Sequence, residues 1–182
     1  MAMIAVIDTE TNWNDAVMSI GAVIAEESTF TPVEMRYLVL DPEFRAGGMY
    51  DGALCLETPG TVVCSRPEAV AELRRLLSAW GVRELYAYNA GFDRNHLPEF
   101  RGYRWYDIMR IAAYRQTNPA IPGWMECCST GRLKRGYGVE PMLRLLSGKH
   151  RYRETHNAVL DALDELSIMR LLKIPRSQYI PL

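Results

Sequence analysis

The chain has 182 residues, a formal net charge of −1, 48% hydrophobic residues and 24% charged residues. This is the size and balance of one soluble folded domain, expected to span residues 1–182, and it excludes both intrinsic disorder and a core that needs covalent staples. Near-neutral charge argues against a protein that coats duplex by bulk charge, but it leaves room for a local cationic patch.

No apolar run approaches the roughly 20 residues of a membrane helix. The apolar start Met1–Ile7 has no basic leader and runs straight into Asp8, so it reads as a core strand and not as a signal peptide. Cys55, Cys64, Cys127 and Cys128 form no C-x-x-C pair and have no paired histidines. That pattern argues against zinc and for free thiols in a reducing, cytoplasmic setting.

In chain order, Met3–Asp8, Ala16–Ala25 and Val33–Leu40 are predicted strands, rich in β-branched and apolar residues and joined closely enough for an antiparallel meander. Pro42–Cys64, broken by Gly47-Gly48 and Pro59-Gly60, reads as loop. Ser65-Arg66-Pro67-Glu68 has the form of a capping box. It opens a helix whose apolar stripe (Ala69, Val70, Leu73, Leu76, Leu77, Trp80) ends near Gly81. Glu84–Tyr88 is a short strand, Asn89-Ala90-Gly91 breaks it, and a helix runs from Phe92 to about Pro98. Arg104–Tyr106 forms a final strand, and Asp107 is placed to cap the helix that holds Ile108, Ile111 and Ala112. The proline- and glycine-rich stretch Asn118–Gly138 is a long loop, Glu140–Leu146 a short helix, and His156–Leu172 the last long helix, ended by Pro175. Three strands followed by alternating helices and strands imply an α/β fold, a mixed five-stranded sheet with antiparallel first three strands, flanked by helices.

The acids in this frame carry the chemistry. Asp8 and Glu10, two apart on a strand, point to one face, where paired carboxylates at the end of an apolar strand are costly without a partner such as a divalent cation. Asp93 follows a strand and a glycine turn, at the carboxyl end of a sheet where ligands bind; alone it also fits an acid at a helix start. His156 and Asp161 are five residues apart, about 140° on a continuous helix, so they converge only if His156 sits in the loop or first turn before it. Asp164 and Glu165, on the neighbouring face, read as solvated. His96 and His150 read as surface or packing residues.

Together, A-V-I-D-T-E-T (Asp8, Glu10), Y-N-A-G-F-D (Asp93) and H-N-A-V-L-D-A (His156, Asp161) resemble the three motifs of the DnaQ-like, or DEDD, exonucleases, in the subgroup whose fifth residue is histidine. The resemblance runs from about residue 3 to residue 172. It implies the RNase H-like version of the fold and a 3′→5′ exonuclease that releases nucleoside 5′-monophosphates from single-stranded DNA or RNA. By the same resemblance, Asp8, Glu10, Asp93 and Asp161 hold two Mg²⁺ or Mn²⁺ ions and His156 acts as general base. No small-molecule cofactor and no membrane partner is implied. Asp107 resembles an acid that often opens the following helix and is read as structural.

Thr9, Thr11, Asn89 and Phe92 are candidates for contact with the terminal nucleotide. Phe92 also fits a core position, the reading favoured for it, and Trp13 fits either a cover on the terminal base or a packed loop aromatic. Arg132, Lys134, Arg135, Lys149 and Tyr137 are candidates to guide the phosphodiester chain, although a lone basic loop is usually just solvated. The rival reading is a catalytically inactive binding module on the same fold, whose usual mark, a missing carboxylate, is absent. No glycine-rich phosphate loop supports an unrelated nucleotide-binding domain.

Overall fold

The computed structural model describes residues 2–54, 58 and 60–182. The Cys55 thiol and the Pro59 breaker expected from sequence lie outside the described residues.

The three leading strands form as their composition dictates: β1 (Met3–Thr11), β2 (Val17–Glu26) and β3 (Pro32–Leu40) pair antiparallel in sequence order. A fourth strand, β4 (Thr61–Cys64), pairs parallel to β3, and α1 (Arg66–Ala79) follows behind a complete Ser65/Glu68 capping box. Then come β5 (Glu84–Ala87), α2 (Gly91–His96), β6 (Arg104–Asp107), α3 (Met109–Ala112), α4 (Val139–Ser147) and α5 (Ala158–Leu172). The sheet order is β4-β3-β2-β1-β5-β6, with β5 parallel to both β1 and β6. The sheet therefore has six strands, not five. The extra one lies in the stretch read as loop, because Thr61–Cys64 is a short edge strand whose Val62 and Val63 stay exposed and give no alternating pattern.

Period-two alternation splits the core in two. Ala5 and Ile7 of β1, Ile20, Ala22 and Ile24 of β2, and Leu38 and Leu40 of β3 pack under Leu73 and Leu77 of α1. Ile4 and Val6 of β1, with Val23 and Ala25, face the opposite side, against Val159, Ala162 and Leu166 of α5. Strand β2 is buried along nearly its whole length because helices cover both of its faces. Residues 113–138 carry no helix and no named strand and are held by isolated bridges Tyr114–Arg132 and Cys127–Leu133. Among the described residues, Cys64, Cys127 and Cys128 are free, and no helix is long and apolar enough to cross a membrane.

Candidate metal and nuclease site

The even register of β1, which points Ile4 and Val6 toward α5, carries on through Asp8 and Glu10. Across the antiparallel ladder Asp8 pairs with Gly21 and Glu10 with Ser19, and a register shift follows between Glu10 and Thr11. Gly21 is where α5 touches the sheet. A Cβ on it would lie 2.1 Å from the backbone carbonyl carbon and oxygen of Ala158, so only glycine admits the helix start at this depth.

Asp93 is delivered by the turn after β5. Asn89 adopts φ 63°, and its N–H donates to Asp107 Oδ1 at 3.0 Å, as does the N–H of Met109. Asp107 thus ties the end of β6 to the turn and to the start of α3, the structural role expected of it. Asp93 is buried in the first turn of α2 and accepts a 2.8 Å hydrogen bond from the Thr9 hydroxyl.

The third group comes from the start of α5. The helix begins at Ala158, not at His156. His156 sits before it with φ 57°, which supplies the break from helical spacing that convergence with Asp161 requires. The buried Asn157 caps the helix, accepting from the Leu160 N–H at 3.4 Å and donating to the Ala53 carbonyl at 3.0 Å. The His156 ring lies flat on Tyr50, with centroids 3.7 Å apart and planes 13° off parallel.

These elements bring one ligand atom each of Glu10, His156 and Asp161 within 4.8 Å of one another. Asp8 Oδ2 and Asp161 Oδ1 are buried with no hydrogen-bond partner. No arginine or lysine among the described residues forms an ion pair with Asp8, Glu10, Asp93 or Asp161. Burial, reinforced by the neighbouring acids, raises Asp8 well above the carboxylate range and Glu10 to about 8. Burial likewise raises Asp93 to about 7, against the pull of the Thr9 hydroxyl, and Asp161 to about 7, with Glu154 adding to it. Crowded, buried, unpaired carboxylates are strongly unfavourable as anions unless cations join them. An all-oxygen donor set with one imidazole beside it fits hard divalent cations such as Mg²⁺ or Mn²⁺.

No protein-family model and no curated protein sequence matches the chain. Solved structures do. The nuclease domain of 3′hExo, a DEDDh family member, bound to rAMP, aligns with TM-score 0.65 and 11% identity over 99% of this chain and 96% of that one. E. coli exonuclease I in complex with a dT13 oligonucleotide aligns with TM-score 0.62 and 16% identity over 98% of this chain. The chain spans 41% of that structure's length.

The chain has the RNase H-like fold of these nucleases.

Within that fold, four groups near the site escaped the sequence reading. Glu165 is not solvated but 1% exposed, with Oε2 unpartnered. Burial and the charges of Asp8 and Asp93 hold its pKa well above the ordinary range. It lies one helical turn from Asp161 on a helix buried on several sides, so the i, i+4 spacing was its available signal. Asp164 is half-buried and accepts from the Tyr152 hydroxyl, so it too departs from the solvated reading. Glu154 adds its charge to Asp8, Glu10 and Asp161, and Tyr50 stacks on His156. Nothing local in the sequence marks either one.

The second-rank candidates divide. The Thr9 hydroxyl is engaged with Asp93, and Asn89 and Thr11 flank the carboxylates in sequence. Phe92 is 39% exposed and leans on His96, with centroids 4.2 Å apart, which corrects the core reading favoured for it. Trp13 is 66% exposed, and its backbone N–H donates to the Gly47 carbonyl at 3.0 Å. His96 bridges the Phe92 carbonyl and Asp15.

Proposed function

We propose that the protein is a metal-dependent 3′→5′ exonuclease that acts on single-stranded DNA or RNA and releases nucleoside 5′-monophosphates. The observation that carries this reading is the cluster of Glu10, His156 and Asp161 within 4.8 Å, with unpartnered buried oxygens on Asp8 and Asp161 and with Asp93, Asp161 and Glu10 all acting on the charge of Asp8. The neighbours' bound dT13 and rAMP supply the substrate class.

Asp8, Glu10, Asp93 and Asp161 would hold two Mg²⁺ or Mn²⁺ ions. Bound there, such ions supply Lewis acidity and positive charge to the attacking and leaving oxygens of an in-line displacement. Thr9 fixes the orientation of Asp93 through its 2.8 Å hydrogen bond, so its share in the site is positioning. His156 takes the proton of the attacking water. Burial lowers its pKa below the ordinary imidazole value, so the ring is neutral and able to accept at neutral pH. Asn89, Thr11 and Phe92 are assigned to the terminal nucleotide, and residues 1–182 to one exonuclease domain.

The test is a gel assay on 5′-labelled single-stranded DNA and RNA with Mg²⁺, Mn²⁺ or chelator. Expected is a ladder shortening from the 3′ end only when metal is present. In the same assay His156→Ala should lose turnover while titration calorimetry with Mn²⁺ still shows binding. Cleavage of neither strand under any metal would overturn the nuclease reading, and a near-normal His156→Ala rate at neutral pH would remove the general base.

Tyr50 makes a separate prediction. Its stack on His156, together with the Asn157–Ala53 hydrogen bond, holds the imidazole beside Glu10 and Asp161. Tyr50→Ala should lower kcat by roughly ten-fold with KM little changed, since small misplacement of a reacting group is felt in the chemical step. Tyr50→Phe, which keeps the ring, should restore it. A Tyr50→Ala effect confined to KM would instead assign the ring to substrate contact.

A further inference from the structure

The stretch Arg132–Arg153 holds seven arginines and lysines and one acid, Glu140, so it carries +6 in a chain whose formal net charge is −1. The remainder of the molecule is therefore acidic, and the cations are sorted to the two segments that flank α4. Those segments are neighbours in space. The one after α4 runs back along the helix: Arg144 Nε donates to the Tyr152 carbonyl at 2.8 Å, and the Glu154 N–H donates to Glu140 Oε2 at 3.0 Å. Arg153 reaches the same Glu140 at 3.3 Å. Both segments also abut the carboxylate site. The later one leads through Glu154 into His156, and the carbonyl of Tyr137 on the earlier one accepts from the hydroxyl of Tyr88, next to Asn89.

Glu140 neutralises part of this charge, through Arg144 and Arg153, and Glu126 pairs with Lys134 at 3.4 Å. Arg135, Lys149 and Arg151 are exposed and make no ion pair among the described residues. Unpaired cations on the two flanks of one helix gain most from a polyanion that releases its counterions on binding. Aromatic faces accompany them. Tyr137 is 38% exposed, with the Arg132 guanidinium 4.7 Å from its ring centroid. A ring capped by a guanidinium offers stacking to unpaired bases, which a duplex cannot supply.

We propose that the surface made by the two flanks of α4 binds the phosphodiester backbone of single-stranded nucleic acid on its way to the carboxylate site. This rests on the nuclease reading for the direction of the strand, but not for the binding itself. The test therefore reads binding without turnover, by fluorescence anisotropy in chelator, with a labelled single strand of roughly twenty nucleotides, a matched duplex and a dinucleotide.

The variant Arg135→Ala/Lys149→Ala/Arg151→Ala should bind the long strand roughly ten-fold more weakly at moderate salt. Its slope of log affinity against log salt should be shallower by about 2, three phosphate contacts at about 0.7 each. The loss should shrink on the dinucleotide. Arg135→Lys/Arg151→Lys, which keeps the charge, should retain the wild-type slope. Circular dichroism and melting temperature establish that each variant is folded. Unchanged affinity and slope in the triple variant, an equal loss at all strand lengths, or a preference for the duplex would overturn the proposal. A wild-type protein that binds the strand through this surface but cleaves nothing supports the surface and removes the nuclease reading. One that cleaves, with the triple variant binding as well as wild type, does the reverse.

Discussion

Asp8→Asn should abolish 3′-end hydrolysis and, in the same tube without metal, make the protein more stable. Loss of one carboxylate from a metal-holding set should lower kcat by on the order of a thousand-fold. The stability gain follows from the burial of Asp8 among Asp93, Asp161, Glu10 and Glu154, which raises its pKa well above the ordinary range. A carboxylate whose folded-state pKa is raised holds its proton more tightly when folded than when unfolded. Its contribution to stability is therefore complete at low pH and is lost as pH climbs through the window between the two values. For this cluster the window opens at the ordinary carboxylate range and closes near 7 for Asp93 and Asp161 and near 8 for Glu10.

Each unit of such a shift is worth about 1.4 kcal/mol. Even two units across the cluster would lower Tm by roughly 5–10 °C in a chain of this size between pH 5 and pH 8. Asparagine keeps the shape and replaces a charge with donors for the adjacent acids, so the variant should lose much of that slope and melt above wild type at pH 8 in chelator. Adding Mg²⁺ or Mn²⁺ should raise the wild type and move the variant less. Scanning calorimetry at the two pH values checks this. A flat wild-type profile, or a variant that melts lower at pH 8, would mean that the acids are not under mutual repulsion.

Gly21→Ala should cost both stability and turnover, although residue 21 carries no chemistry. The added methyl would lie 2.1 Å from the Ala158 carbonyl and 2.3 Å from the Val159 nitrogen, both backbone atoms that cannot turn aside as a side chain can. Helix α5 must then lift from β2, which for an overpacked core contact costs about 1–3 kcal/mol. Lifting the helix start moves Asn157 and Asp161 with it and pulls His156 from its seat on Tyr50. A displacement of about 1 Å at reacting groups can cost on the order of a hundred-fold in rate. The expected result is a Tm lower by several degrees, a kcat about a hundred-fold lower and weaker Mn²⁺ binding by calorimetry. Normal turnover in a folded Gly21→Ala protein would show that α5 does not rest on this glycine.

The parts of the site that local periodicity encodes were legible in the sequence. Two acids two apart on an apolar strand share a face whatever the rest of the chain does, and Asp93 after a strand and a glycine turn was in reach. His156 and Asp161, too far apart in angle on one helix, forced the expectation that His156 lies outside it, and the helix does begin at Ala158. What local pattern cannot encode was missed. Strand β4 exists because Thr61–Cys64 finds the edge of β3, a long-range event for a segment with exposed valines. Glu165 looked like any surface acid because α5 was treated as having one buried face, whereas it packs both on the sheet and beside α4. Tyr50 meets His156 only through tertiary structure, from a turn no motif announces.

The seat of Ala158 on Gly21 also sets an order of events in time. The meander β1–β2–β3 is built from near neighbours in sequence and can form early, carrying Asp8 and Glu10 with it. Its partners His156 and Asp161 follow Glu10 by 146 and 151 residues, and they reach it only by closing that long loop. A nascent or truncated chain that stops short of α5 can thus hold three of the four site carboxylates, Asp8, Glu10 and Asp93, and no competent centre. Appearance of high-affinity Mn²⁺ binding during refolding should be the final event recorded, after the sheet signal has settled.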